Sequence, residues 1–326
     1  MIPPFPIPED ILAANLKEAF GTHVKIIGSN ALTGGARKKV IRLQLRGPIK
    51  EVVLLIWQNE HDYFGERDNP LSERSDRTAP ILYKANSDLL LSAGVRVPQL
   101  YYFDASYRLF PYAYAVVEYI QGITFYEWLP DRSPDEVKIL LGKISDCLNR
   151  MHRLRRDTYG TLLDDSRKSI PCHEQALGEA CQGLTGLAES IDIVRENKMS
   201  VRQKLDELFQ AIEPRTKYSF IHDELGPEEH LLIDARDEIV LIDVDGCHFF
   251  DLEREYAYLQ LRFGNHFEYL KRDDLNEKRM QFYTFCLHIT AAYGHYLLYQ
   301  QGFPDPESLR GIYQGNIQKF LKLSMV

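Results

Sequence analysis

The apolar residues of this chain change their period at Gly122. Before it, short apolar runs recur over 24–28, 40–45, 52–57, 100–103 and 113–119. Runs of this length bounded by polar or turn residues read as strands, and the unbroken run over 52–57 reads as a central one. Two helices belong to this part: one after Pro8-Glu9-Asp10, and one over 79–93 that Gly94 ends. Residues 58–79 are polar and charged and read as a long loop. After Gly122 the spacing turns helical. Ser133-Pro134-Asp135-Glu136 supplies an N-cap and a first-turn proline. Val137, Leu140, Leu141, Ile144, Cys147, Leu148 and Met151 then follow at helical intervals. Further helices are predicted over 201–212, 252–263, 282–302 and 308–323, with two short strands before the second of these. The pattern predicts an α+β chain: a β-rich N-terminal lobe over 1–121, a hinge near 118–122 and a mainly helical C-terminal lobe over 122–326. A cleft between two lobes is a usual place for a ligand.

Composition narrows the function classes. No apolar run approaches the roughly 20 residues that a membrane-spanning helix needs. The start, Met1-Ile2-Pro3-Pro4-Phe5, lacks the basic region and apolar stretch of a signal peptide. Five scattered cysteines without a Cys-x-x-Cys pair argue against a disulfide framework or a zinc ribbon. A cytoplasmic protein is expected. The net charge of −8 argues against a nucleic-acid partner. Acidity is concentrated: between Leu205 and Glu255 there are 15 Asp or Glu against 4 Lys or Arg. Such a surface attracts a cationic ligand; acids that merely line surface turns are the plainer alternative.

That acidic stretch also carries the chemistry. It reads His222-Asp223-Glu224-Leu225-Gly226-Pro227-Glu228-Glu229-His230, and then Leu241-Ile242-Asp243-Val244-Asp245-Gly246. A His-plus-carboxylate turn about twenty residues before an apolar strand ending in Asp-x-Asp-Gly suits phosphoryl transfer from a metal-bound nucleotide. Asp243 ends a buried strand and is the main candidate metal ligand. Asp245 lies two residues on, facing the same side, and is either a second ligand or a turn residue. Imidazoles and carboxylates together also permit a zinc, manganese or iron hydrolase, but these spacings match no such signature.

These residues resemble the aminoglycoside phosphotransferase family, which has the protein-kinase-like two-lobe fold. The family writes His-Gly-Asp-Leu-x-Pro-x-Asn, then Ile-Asp, then Asp-Pro-x-x-Asp-Leu. Here the first motif keeps His222, Leu225 and Pro227, and the second keeps Ile242-Asp243. The third reads Asp251-x-x-x-Glu255 and is taken as structural. The resemblance makes Glu224 the catalytic base, with Asp223 as the alternative if the loop is re-registered. His222 holds the turn, a direct catalytic role being the alternative. The metal-binding Asn falls on Glu229 by strict counting and on His230 if one residue is inserted.

The likeness covers most of the chain. Leu32-Thr33-Gly34-Gly35-Ala36 looks like the glycine-bearing turn between the first two strands, and 113–119 looks like the fifth strand. It implies ATP or GTP with Mg2+. Gly34 and Gly35 would cradle phosphates, Val40 would cover the base, and the backbone of Glu118, Tyr119 and Ile120 would bind it. One departure stands out: the third strand has Leu55 where the family has Lys, and the next helix has no Glu to pair with one. Arg42, Lys38, Lys39 and Lys84 are the candidate replacements, Arg42 being favoured because it shares a strand face with Val40. The expected function is O-phosphotransfer to a small hydroxylated, cationic molecule, an aminoglycoside-like antibiotic or a metabolite. A catalytically inactive nucleotide- or ligand-binding protein and a nucleotidyl transferase on the same fold are the alternatives.

Overall fold

The computed structural model describes residues 7–21, 24–32, 38–58, 78–164 and 170–325. In chain order the elements are α1 (Glu9–Phe20), β1 (Lys25–Leu32), β2 (Lys39–Arg46), β3 (Glu51–Trp57), α2 (Thr78–Ser92), β4 (Leu100–Asp104), β5 (Ala113–Glu118), β6 (Gly122–Thr124) and α3 (Phe125–Trp128). There follow α4 (Pro134–His152), β7 (Arg155–Arg156), α5 (Cys172–Ser190), α6 (Asp192–Gln210), β8 (Tyr218–Ile221), β9 (Leu231–Asp234), β10 (Ile239–Leu241) and β11 (His248–Phe250). The chain closes with α7 (Leu252–Phe263), α8 (Glu277–Gln300) and α9 (Pro306–Leu323). The predicted loop over 58–79 falls almost wholly outside the described residues. No helix among those described is long and apolar enough to cross a membrane.

The chain divides into two compact units. The first comprises Met1–Pro130 and Glu228–Gly246. Its five-stranded sheet runs β1-β2-β3-β5-β4, with every pairing antiparallel. Strand alternation divides the side chains of β2 and β3 between the two sheet faces. Ile41, Leu43, Val52, Leu54 and Ile56 face the core that α1 covers with Leu12 and Leu16. Val40, Arg42, Val53, Leu55 and Trp57 therefore take the other face. Asn15 of α1 is tied to the sheet by a 2.6 Å bond to the Tyr114 hydroxyl.

A second sheet of this unit, β10-β9-β6, explains why the expected boundary at 121/122 falls inside it. Gly122 pairs with Asp234, and Ile123 with Ile233. A Cβ on Gly122 would lie 2.8 Å from the Ile233 carbonyl oxygen, so the strands meet this closely only with glycine there. Leu241 N–H donates to the Arg96 carbonyl at 3.0 Å, which anchors β10 as well. A segment distant in sequence thus belongs to the N-terminal unit, which linear reading of helix and strand periods does not reveal.

The second unit comprises Asp131–Pro227 and Cys247–Val326. It is mainly helical around a small sheet, β11-β8-β7. The predicted capping box at Ser133 is present: its hydroxyl accepts from Glu136 N–H while the Glu136 carboxylate accepts from Ser133 N–H. Gly302, at φ 73°, lies just beyond the end of α8. The α5 helix was not anticipated from the sequence. Its buried face is built from Ala176, Ala180, Gly183, Leu184, Leu187 and Ala188, small residues that give a weak apolar signal.

Candidate active site

In the first unit the apolar strand β10 leads to a tight turn. Ile242 N–H donates to the His230 carbonyl at 3.0 Å, and Asp243 follows with a left-handed φ of 63°. Residues Val244–Gly246 make one 3-10 turn. The α2 helix holds this turn, because buried Asn86 donates from Nδ2 to the Val244 carbonyl at 2.7 Å.

Asp243 and Asp245 converge on one ammonium. Buried Lys38 pairs through Nζ with Asp243 Oδ1 and with Asp245 Oδ1, the latter at 2.7 Å. The same Nζ lies 5.9 Å from the Trp57 ring centroid and 5.8 Å from that of Tyr83, within cation–π range. Trp57 Nε1 donates to Asp245 Oδ2 at 3.4 Å. Burial disfavours the Lys38 charge, but Asp243 and Asp245 outweigh it and raise its pKa above that of ordinary lysine. Burial would likewise raise the Asp243 carboxyl. Lys38, followed by His230, outweighs that effect and holds it below the usual aspartate range.

Access separates the two carboxylates. The Asp243 side chain is 38% exposed and that of Asp245 13%. Asp243 Oδ2 lies 3.7 Å from His230 Nε2, and the same nitrogen is 3.7 Å from Glu229 Oε2. The four predicted metal residues therefore form one chain of contacts, with Glu229 the most solvent-exposed. Hard carboxylate oxygens suit Mg2+, and Lys38 takes Oδ1 of each aspartate. Asp243, Asp245 and His230 supply oxygen and nitrogen donors of the kinds a metal ion takes.

The predicted nucleotide-binding residues lie in the same unit. Gly34 and Gly35 fall outside the described residues. Val40 pairs across the sheet with Leu55. Arg42 donates from Nε to Glu51 Oε1 at 2.9 Å, and its guanidinium lies 4.3 Å from the Tyr119 ring centroid. Glu118 receives both terminal nitrogens of Arg96, at 2.9 and 2.7 Å. Its own N–H donates to the Gln99 carbonyl at 2.8 Å. The hydrogen bond to Arg96, working against burial, lowers the Glu118 carboxyl below its usual value. Glu118 and Tyr119 are thus each held by an arginine, Arg96 and the Glu51-bound Arg42, that no motif announces.

The His222–Glu224 turn lies in the second unit. His222 and Asp223 are buried while Glu224 is exposed. Both N–H groups before Glu224 donate to Glu255: His222 at 3.3 Å to Oε1 and Asp223 at 2.8 Å to Oε2. Glu255 is fully buried on α7, and His152 Nε2 lies 3.7 Å from it. This bears out its reading as structural.

Asp223 has a left-handed φ of 71° and accepts from Arg254 Nε at 2.5 Å. Arg254 also donates to Glu179 Oε2 at 2.9 Å, and His248 Nε2 lies 3.9 Å from Asp223 Oδ2. Arg254 is thus the clamp of this turn. Glu179 and Arg254 are functional candidates that sequence reasoning missed; their pairing brings together residues 75 positions apart. Gly226 passes under Arg262, where a Cβ would lie 2.5 Å from Nη2.

Asp251 stands at the N-cap position of α7 but does not cap it with its side chain. It is fully buried and takes Arg279 and the Tyr283 hydroxyl, the latter at 2.6 Å. Cys172 and His173 also approach Asp251, but the Arg279 charge occupies its carboxylate.

A model described as the phosphotransferase enzyme family matches residues 52–293. No match is found among curated proteins. A protein provisionally described as an aminoglycoside phosphotransferase from Ralstonia eutropha superposes with a TM-score of 0.67 at 13% identity, covering 97% of each chain. Choline kinase from Streptococcus pneumoniae gives 0.62 at 16% identity, covering 96% of this chain and 99% of its own. Spectinomycin phosphotransferase in complex with ADP and spectinomycin gives 0.58 at 15% identity, covering 97% and 93%. These likenesses show the protein-kinase-like α+β fold.

Proposed function

Because the chain belongs to the phosphotransferase enzyme family, we propose that it transfers the γ-phosphoryl group of ATP or GTP to a hydroxyl group of a small molecule. The observation that carries the reading is the open carboxylate edge of Asp243, ionised beside a buried ammonium. In this reading Asp243 holds Mg2+ with help from Asp245 and His230, and Glu229 stands further out. The metal, when bound, neutralises charge on the phosphates. The acceptor oxygen attacks the γ-phosphorus, the bond to the β-phosphate oxygen breaks, and the nucleoside diphosphate leaves. Exposed Glu224 accepts the hydroxyl proton. Asp223 is engaged by Arg254 and positions the turn. The base is held at the hinge, by the backbone from Glu118 to Ile120 with Val40 against the ring.

The acceptor is read as a hydroxylated cation. The concentration of acids between Leu205 and Glu255 supports this, as does the likeness to a choline kinase and to an enzyme holding spectinomycin. The ADP in the latter supports ATP as the donor.

The test is Asp243→Asn. Mg·ATP should stabilise the wild-type protein to heat and leave the variant unshifted; equal shifts would remove the metal assignment. A second reading, a ligand-binding protein without transfer, draws on Leu55 in place of a strand lysine. ATP turnover across a panel of hydroxylated amines separates the two, since a binding protein shifts in melting temperature without consuming ATP.

A further inference from the structure

We propose that Lys38 is the catalytic cation that receives the nucleotide phosphates, taking over from the second strand the part the family gives to a lysine on the third. The inference rests on the phosphotransferase reading above. Its first support is register. Lys39 pairs with Ile56 and Val40 with Leu55, so the next step places Lys38 opposite Trp57. Alternation then sets Lys38 on the same sheet face as Val40, Leu55 and Trp57, the face turned away from α1. A lysine at the start of β2 thus reaches the surface that a lysine on β3 would reach.

The second support is its surroundings. Lys38 Nζ already stands on Asp243 and Asp245, the pair read as metal ligands. An ammonium offers three donors on a flexible stem. It can exchange one carboxylate oxygen for a phosphate oxygen while keeping the other. Trp57 and Tyr83 flank it with apolar rings, which strengthens its interaction with an anion by excluding water.

The third support is that two departures from the family pattern become one. A lysine on β3 needs an acidic partner on α2, and α2 offers none at its buried face. Asn86 stands there instead and bonds the backbone of the Asp243–Gly246 turn. With the lysine on β2, the acidic partners come from that turn, and the helix has only to hold the turn in place.

The other candidate cations are placed differently. Arg42 is bound to Glu51 and stacked on Tyr119. Lys84 pairs with Asp88 on the exposed side of α2. Lys39 alternates to the opposite face of the sheet from Lys38.

The experiment uses the wild-type protein and an adenosine analogue bearing a 5′-sulfonyl fluoride. The ammonium first loses a proton to solvent; the amine then attacks sulfur, an N–S bond forms, fluoride leaves and a second proton passes to solvent. Peptide mass spectrometry then locates the label. The expected result is modification of Lys38, suppressed by ATP. ATP-suppressible modification confined to Lys39, Lys84 or another residue overturns the assignment. A second measurement compares ATP and adenosine binding in Lys38→Met and in Lys38→Met/Leu55→Lys. The single variant should lose about tenfold or more in ATP affinity with adenosine little changed, and the double variant should recover part of that loss. Equal ATP affinity in wild type and Lys38→Met also overturns it. If the wild-type protein binds neither ATP nor the probe, the phosphotransferase reading itself fails.

Discussion

Arg254 Nε donates to Asp223 Oδ1 at 2.5 Å, and this pair fixes a left-handed aspartate where the family motif has glycine. Aspartate tolerates that backbone better than most residues, at a cost of roughly 1 kcal/mol. The clamp extends to Glu179, so Arg254 neutralises two carboxylates at once, buried Asp223 and half-buried Glu179. Arg254→Met should therefore destabilise the protein by about 3 kcal/mol, as removal of one partner from a buried pair does. Asp223→Gly should cost much less, because glycine accepts the backbone and Glu179 still pairs with Arg254. Urea denaturation of both variants checks the order. If Arg254 positions the base turn, Arg254→Met lowers kcat more than it raises KM, and adding Asp223→Gly restores part of kcat. A reversed stability order, or no rescue, speaks against the clamp.

Glu224 is the exposed carboxylate of a turn whose preceding N–H groups are both bound to Glu255. Glu224→Gln removes the proton acceptor without disturbing those bonds. Turnover should fall by roughly 10²-fold or more, with ATP affinity retained. Unchanged turnover in a protein that consumes ATP would mean that proton transfer does not depend on this side chain.

Glu255 makes acid stability predictable. Burial pushes its carboxyl up, but His152, then His222 and the Asp223 N–H, outweigh burial and hold it below the ordinary value of 4.5. A depressed carboxyl contributes stability that is present above its unfolded pKa and is lost as pH falls toward the folded one. Wild-type stability should thus drop as pH falls below about 4.5, with Glu255→Gln falling less steeply over the same window. Denaturation curves at a series of pH values measure the two slopes, and parallel slopes would assign the acid sensitivity to other groups.

Much of the fold was legible because its signals are local. Strand and helix periods, the Ser133 capping box and the Gly302 stop each depend on a few neighbouring residues. The membership of Glu228–Gly246 in the first unit was not, since it rests on β6 and β9 pairing across more than a hundred residues. The site divides the same way. Asp243 and Glu224 stand in motifs and could be named. Arg42 and Lys38 share a strand face, and the strand pattern favours Arg42 only because it does not show which acid each one meets. Glu51, on the adjacent strand, takes Arg42, and Asp243, distant in sequence, takes Lys38.

The remaining prediction concerns the acceptor. The stretch from Leu205 to Glu255 carries 15 acids against 4 basic residues, but several of those acids are already paired. Glu253 takes Arg215, Asp251 takes Arg279, and Asp223 takes Arg254. Other acids of the stretch, Glu224, Glu228 and Glu229 among them, are exposed and act on a cation through the surface field. Attraction by exposed groups is screened over roughly 8 Å at 0.15 M ionic strength. Raising the salt concentration should therefore raise KM for a cationic acceptor and leave kcat nearly constant, because the paired, buried acids that shape the turn are screened far less. A flat KM across salt concentrations would point to a neutral polyol, and a fall in kcat alone would place the sensitivity in the nucleotide phosphates instead.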